Sequence, residues 1–246
     1  MTSTADFSSF RMPRKRVRLL DAWRAVQALI NDKEDTSQVF RVIDALGGTA
    51  EGKNFIRFAS LPTGAAILRE ERSLLETLSN VGYLRSLPPE SLGRHYLAFM
   101  QGENLTADGL VEASQDGPDL SALPPAARLF GNRMRDMHDL WHVTTGYGRD
   151  GLGELSLLAF TYAQGHNRGI GAIVLFGMRS LSSDHPGTGV WRAVLEGHRL
   201  GRKAQWMPAA DWEHLLTRPL AEVRQTLGLT PPVQYQATLA RISQAA

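Results

Sequence analysis

Apolar residues in this chain of 246 residues recur at intervals of three and four, and nowhere in sustained alternation. Val17, Leu20, Trp23, Val26, Leu29 and Ile30 set the pattern. Residues so spaced share one face of a helix, whereas a half-buried strand needs every second residue apolar. The chain is therefore expected to be all-α. Its length suits one large domain with a substantial core. The reading is a single-domain helical bundle over residues 17–246, preceded by a flexible basic tail over residues 1–16.

Glycine and proline punctuate the pattern. A second helix is expected over 36–46, stopped by Gly47 and Gly48. Residues 61–64 read as a turn and 65–77 as one run of strong helix formers. Pro88 and Pro89 precede a short helix at 91–100, and the acidic stretch 103–119 reads as a loop. Pro124 and Pro125 suit the first turn of a helix over 126–144. Further helices are expected at 154–164, 190–206, 210–216 and 220–227, the last closed by Gly228, Pro231 and Pro232. Residues 169–178 form a short apolar run, too short to span a bilayer.

Composition removes several function classes. There is no cysteine, so disulfides, thiolate metal sites and cysteine nucleophiles are excluded, and any metal must be held by nitrogen and oxygen. A net charge of +2 argues against a nucleic-acid partner, although Arg11, Arg14, Lys15, Arg16 and Arg18 form one dense basic cluster. No uninterrupted apolar stretch is long enough for a spanning helix. The polar start MTSTADFSSF lacks the apolar segment of a secretory signal, while its Ser and Thr content, with arginines following from Arg11, leaves an organellar transit peptide open.

The segment HDLWHVTTGYGRDGLGE, residues 138 to 154, carries the chemistry. On a helix, positions i and i+4 share a face and i+1 lies about 100° away, so His138, Asp139 and His142 can project toward one point. Gly146, Gly148, Gly151 and Gly153 are expected to break the helix and let the chain reverse, bringing Glu154 to the same point from the next helix. Two imidazoles and two carboxylates fill a four-ligand shell around a divalent cation, and a nitrogen/oxygen site of this kind does not exclude iron or manganese. The metal site is thus expected between two consecutive helices. Arg135 and Asp136 are candidates to orient the ligands. Tyr147 and Arg149, in the glycine turn, are candidates to hold an anionic substrate, since guanidinium matches carboxylate bidentately. The isolated histidines His95, His166, His185, His198 and His214 are read as ordinary satisfied side chains.

Two similar motifs do not fit. Zinc peptidases of the H-E-x-x-H type place a glutamate base where this chain has Asp139, one methylene shorter. The histidine-aspartate phosphohydrolases need a further upstream histidine ligand, and His95, in GRHYLAF, is not in such a setting.

The quoted segment resembles the HDxxH, eleven residues, E signature of the fourth coenzyme Q (ubiquinone) biosynthesis protein family, matched by His138, Asp139, His142 and Glu154. PPESLGRHYLAFM at 88–100 and DWEHLLTRPLAEVRQTLGLTPP at 211–232 are similar to the family's flanking segments. The resemblance implies a mostly helical protein that binds a divalent metal, usually zinc, near a polyprenyl-ring intermediate at a membrane face. It implies a carbon-carbon lyase acting on a polyprenyl hydroxybenzoate, with C1 decarboxylation and hydroxylation, His138, Asp139, His142 and Glu154 being catalytic. The alternative it leaves is a non-catalytic scaffold that binds polyprenyl lipid and organises the other ubiquinone-biosynthesis enzymes. An assembly of identical chains stays open. The stretch after Glu154 is less like the eukaryotic members and no clear presequence is seen, so the expected place is the inner face of a bacterial membrane, with the matrix side of the mitochondrial inner membrane as the alternative. The tail of such a substrate needs an apolar groove, for which 170–178 and the 17–30 helix are candidates; the basic flank of the latter suits anionic headgroups.

Overall fold

Among the residues described by the computed structural model, namely Arg41, 45–102 and 120–245, every regular element is helical. The expected 17–30 helix, the basic cluster and tail, most of the 36–46 helix and the whole acidic stretch lie outside the described residues. Residues 45–47 are helical, and the chain leaves that helix at Gly48 with a φ of 57°, a conformation glycine adopts without a side-chain clash.

In chain order the helices are α1 (Ala50–Ser60), α2 (Pro62–Arg69), α3 (Leu74–Ser79), α4 (Val81–Ser86), α5 (Leu92–Gly102), α6 (Pro125–Asp136), α7 (His138–Thr145), α8 (Gly151–Gly165), α9 (Arg168–Asp184), α10 (Val190–Lys203), α11 (Trp212–Leu215), α12 (Leu220–Leu227) and α13 (Val233–Ala245). A 3-10 turn, Met207–Ala209, lies between α10 and α11. The only strand-like pairing among the described residues is an isolated antiparallel bridge between Ser91 and Pro219.

Several boundaries differ from the sequence-based expectation. The turn expected at 61–64 is the first turn of α2, where Pro62 sits at the position that needs no amide hydrogen. The single helix expected over 65–77 is two, because Glu71 takes a φ of 49° and the Ser73 hydroxyl accepts the Glu76 amide at 3.3 Å, opening α3 afresh. The motif helix expected over 126–144 is likewise divided at Met137, whose ψ of −5° makes His138 the first residue of α7. Gly151 and Gly153 do not break a helix; they lie inside α8, which starts early because Asp150 Oδ1 accepts the Leu152 and Gly153 amides at 3.1 and 3.0 Å. The apolar run 169–178 belongs to the 17-residue α9. Beyond Pro231 and Pro232 the chain forms α13, so these prolines open a helix as well as closing one.

The described residues fall into two compact units. The first takes those between Phe55 and Gly146 and between Gln205 and Thr230; the second takes those up to Asn54, Tyr147–Ala204 and those from Pro231 onward. In the first, Phe55, Phe58 and Phe130 cluster, with Phe130 5.9 and 5.0 Å from the other two ring centres. Deeper still is Arg133, wholly buried and held by both carboxylate oxygens of Glu213. Arg72 adds a bond to Asp211 at 2.8 Å. The start of α5 is tied down by the Leu92 and Gly93 amides, which donate to the Arg218 and Leu216 carbonyls.

The second unit is built around α8. There the helices approach closely through glycines: a Cβ at Gly197 would lie 2.3 Å from the Ser156 carbonyl oxygen, and one at Gly201 2.5 Å from that of Phe160. Both pairs are four residues apart, so the same faces of α10 and α8 meet over one full turn. Gln164 fixes the register by donating to the Gly201 carbonyl at 2.6 Å.

Candidate metal centre

All three residues of the proposed ligand set that precede the glycine turn lie on α7, in the first unit. Division of the helix at Met137 puts His138 and Asp139 in its first turn, where backbone amides have no helical acceptor and a carboxylate is electrostatically favoured. His142 follows one turn on and is 1% exposed, while His138 and Asp139 are half-buried. The Nε2 atoms of His138 and His142 are 3.2 Å apart, with the rings edge to face. One ligand atom from each of the three residues lies within 4.8 Å of the others, the one such His/Asp/Glu group found among the described residues.

These residues fit a cation. Two nitrogens about 2.0–2.1 Å from a tetrahedral zinc are separated by about 3.3 Å, close to the spacing here. A hydrogen bond between a protonated and a bare ring nitrogen would give a similar distance; the adjoining Asp139 carboxylate is what favours a cation, by adding an oxygen donor to the two ring nitrogens.

Neighbouring elements hold the cluster in place. From α5, the Phe99 ring stacks on His142 at 5.8 Å. At the other end of α7, Arg224 donates from Nε to the Thr144 carbonyl at 2.9 Å and from Nη2 to the Val143 carbonyl at 3.0 Å, satisfying two carbonyls that a helix terminus leaves open. Gly146 then ends the helix in the left-handed conformation with a φ of 83°. One turn before Phe99, Tyr96 is 1% exposed and its hydroxyl has no hydrogen-bond partner among the described residues. Burial, with the charges of Asp139 and Asp136 adding to it, drives its ionisation well above the ordinary phenol range, so it stays a neutral donor. Asp136 is itself buried, which pushes its carboxyl up, against the pull of Arg135 and Arg133. Its Oδ1 lies 3.4 Å from Arg135 Nε, so the two residues expected to orient the ligands contact each other.

The remaining predicted site residues belong to the second unit. Glu154 lies in the first turn of α8, half-buried, with Arg149 Nε 3.9 Å from its carboxylate. Arg149 is exposed, whereas Tyr147 is 2% exposed and packs edge-on against Tyr235 at 5.2 Å. Of the histidines read as ordinary, His95, His166 and His214 are exposed and His185 and His198 half-buried. Sequence reasoning missed Tyr96, Phe99 and Arg224 as neighbours of the cluster. Tyr96 and Phe99 are three apart on a helix and so share a face, a readable signal; Arg224 carries none.

Fold and site together define an all-helical protein with a His-Asp-His cluster on one short helix. The sequence model of the family described as coenzyme Q (ubiquinone) biosynthesis protein Coq4 matches residues 17–233. The chain belongs to this Coq4 family. Similar curated proteins are the mitochondrial ubiquinone biosynthesis proteins COQ4 of Podospora anserina, 29% identical over 72% of this chain and 56% of that one, and of Arthroderma otae, 28% identical over 85% and 75%. The Neurospora crassa protein, coq-4, is 28% identical over 70% of this chain and 48% of its own length. This chain thus spans about half the length of the Podospora and Neurospora proteins. A crystal structure from Nostoc punctiforme PCC 73102, provisionally described as a ubiquinone biosynthesis protein, has the same fold: TM-score 0.63, 22% identity, covering 87% of this chain and 99% of that one. No helix among the described residues is long and apolar enough to cross a membrane.

Proposed function

We propose that this protein acts in ubiquinone biosynthesis as a metal-dependent enzyme that removes the ring carboxylate of a polyprenyl-hydroxybenzoate-type intermediate and hydroxylates the same carbon, C1. The observation that carries the reading is the cluster of His138, Asp139 and His142 on α7, in a chain of the Coq4 family. Glu154 is the fourth ligand in this reading and zinc the first candidate metal. A divalent cation there would supply a Lewis acid to the substrate's carboxylate or phenolic oxygen.

The chain's own groups have separate parts. The Phe99 ring walls one side of His142 and keeps its orientation, while the neutral Tyr96 hydroxyl is a buried donor available to a substrate oxygen. Arg149, exposed beside Glu154, suits the substrate carboxylate, and the buried Tyr147 supports the turn that carries Arg149. Counted from the protonated acid, replacing the ring carboxyl group by a hydroxyl, with water as the oxygen source, releases carbon dioxide, two protons and two electrons. Dioxygen, reduced to hydrogen peroxide, is the acceptor that balances it.

Support for a lipid tail comes from the second unit, where Leu175 is 64% and Phe176 51% exposed on α9, within the run the sequence singled out. Two adjacent apolar side chains exposed in this way suit contact with lipid or protein. They favour peripheral attachment at a membrane face, and they also favour the second reading, a metal-stabilised scaffold for the other enzymes of the pathway. Glu154→Gln separates the two. An enzyme loses turnover of a carboxylated polyprenyl phenol under oxygen by at least about a hundredfold while its folding and partner binding persist. A scaffold loses stability and assembly together.

A further inference from the structure

The C-terminal helix reaches the glycine turn through one side chain. Tyr235, 4% exposed on α13, accepts the Gly148 amide at its hydroxyl, 3.0 Å away, and donates that hydroxyl's proton to Asp150 Oδ2 in a short bond. The other oxygen of the same carboxylate, Oδ1, caps α8 through the Leu152 and Gly153 amides. The Glu154 amide in turn makes the helix's first bond, to the Asp150 carbonyl at 2.9 Å. One phenol therefore fixes the turn and the start of the helix that carries Glu154.

The surroundings are shaped for this contact. A Cβ at Gly148 would lie 2.8 Å from both the Tyr235 and Asp150 oxygens, and a Cβ at Gly153 2.1 Å from the Gly148 carbonyl oxygen, so only glycine lets the turn close on the phenol. The start of α13 is held as well: Glu196 of α10 accepts the Gln234 and Tyr235 amides at 2.8 and 3.1 Å. The stretch matched by the family model ends at residue 233, two short of Tyr235.

We infer that Tyr235 is a positioning residue, which acts through Asp150 and the Gly148 turn to set the first turn of α8 and the Glu154 carboxylate on it. The inference rests on the reading that Glu154 ligates metal. It makes the helix after the family-matched stretch part of the site's apparatus.

Its test uses the full chain with Tyr235→Phe, which keeps the ring and removes only the hydroxyl. Amide exchange should speed up by about tenfold at Gly148, Leu152 and Gly153 and stay unchanged along α10, a local opening rather than global loss. Cobalt(II) binding, followed by its visible absorption, should weaken about three- to tenfold with an altered spectrum at unchanged helix content. Added to Glu154→Gln, the substitution should weaken binding no further, since both act on one carboxylate. Unchanged exchange at those amides would overturn the inference, and so would a loss of affinity fully additive with that of Glu154→Gln. Should Glu154→Gln alone bind cobalt as tightly as wild type, the ligand assignment of Glu154 fails, while exchange still decides whether Tyr235 sets the turn.

Discussion

Each of the two units has an interior held by its own physics. In the first, a wholly buried guanidinium and its carboxylate sit in the interior: Arg133 on Glu213, with Arg72 on Asp211 nearby. In the second, backbones meet through glycines, Gly197 and Gly201 of α10 lying on the carbonyls of Ser156 and Phe160. Desolvated charge is unforgiving of a missing partner, and close backbone contact is unforgiving of added volume. The unit that carries the His-Asp-His cluster should thus fail when charge is unbalanced, and the unit that carries Glu154 when a methyl group is added.

The largest effect is expected from Glu213→Ala, which leaves Arg133 buried without its carboxylate. A loss of about 3–5 kcal/mol is expected in urea unfolding. Replacing both residues by apolar ones of similar size should restore most of it; a double variant as unstable as the single one would show that the pair is not the cause. Gly197→Ala is expected to follow, at about 1–3 kcal/mol, because its Cβ meets backbone rather than a movable side-chain end. A variant as stable as wild type would mean that α10 shifts freely on α8.

The smallest effect is a pH dependence confined to the second unit. Burial, with repulsion from Arg202 and His166, holds the His198 imidazole below its usual value of 6.5. The unfolded chain then takes up the proton first, so this contribution to stability is full above about pH 6.5 and is lost as pH falls through the folded value. His198→Gln should flatten the decline in the unfolding midpoint between about pH 7 and pH 5.5. An unchanged slope would assign the decline to other groups.

The same contrast accounts for what the sequence could disclose. Apolar spacing of three and four was enough for the all-helical class, because burial of one helix face is written in residue order. Helix divisions were not, since Met137 and Glu71 carry no breaker signal and take their conformations from packing. Glycines were misread in one respect: Gly153 looked like a helix breaker, and it is the residue whose missing side chain lets the helix start under the Gly148 carbonyl. Of the site, the α7 cluster was legible because its two histidines are four residues apart on a single helix. Arg224 and Tyr235 were not, because they arrive from 80 and 85 residues away in the chain.

The central claim is that His138, Asp139 and His142, with Glu154, hold a divalent metal that the reaction requires. The direct measurement is metal content of purified wild type and His142→Ala, with turnover of a carboxylated polyprenyl phenol under oxygen on the same samples. Wild type should carry about one equivalent of metal and turn over, and His142→Ala should lose both while its helix content persists. Turnover by wild-type protein without stoichiometric metal, or a full equivalent retained by His142→Ala, would contradict the account.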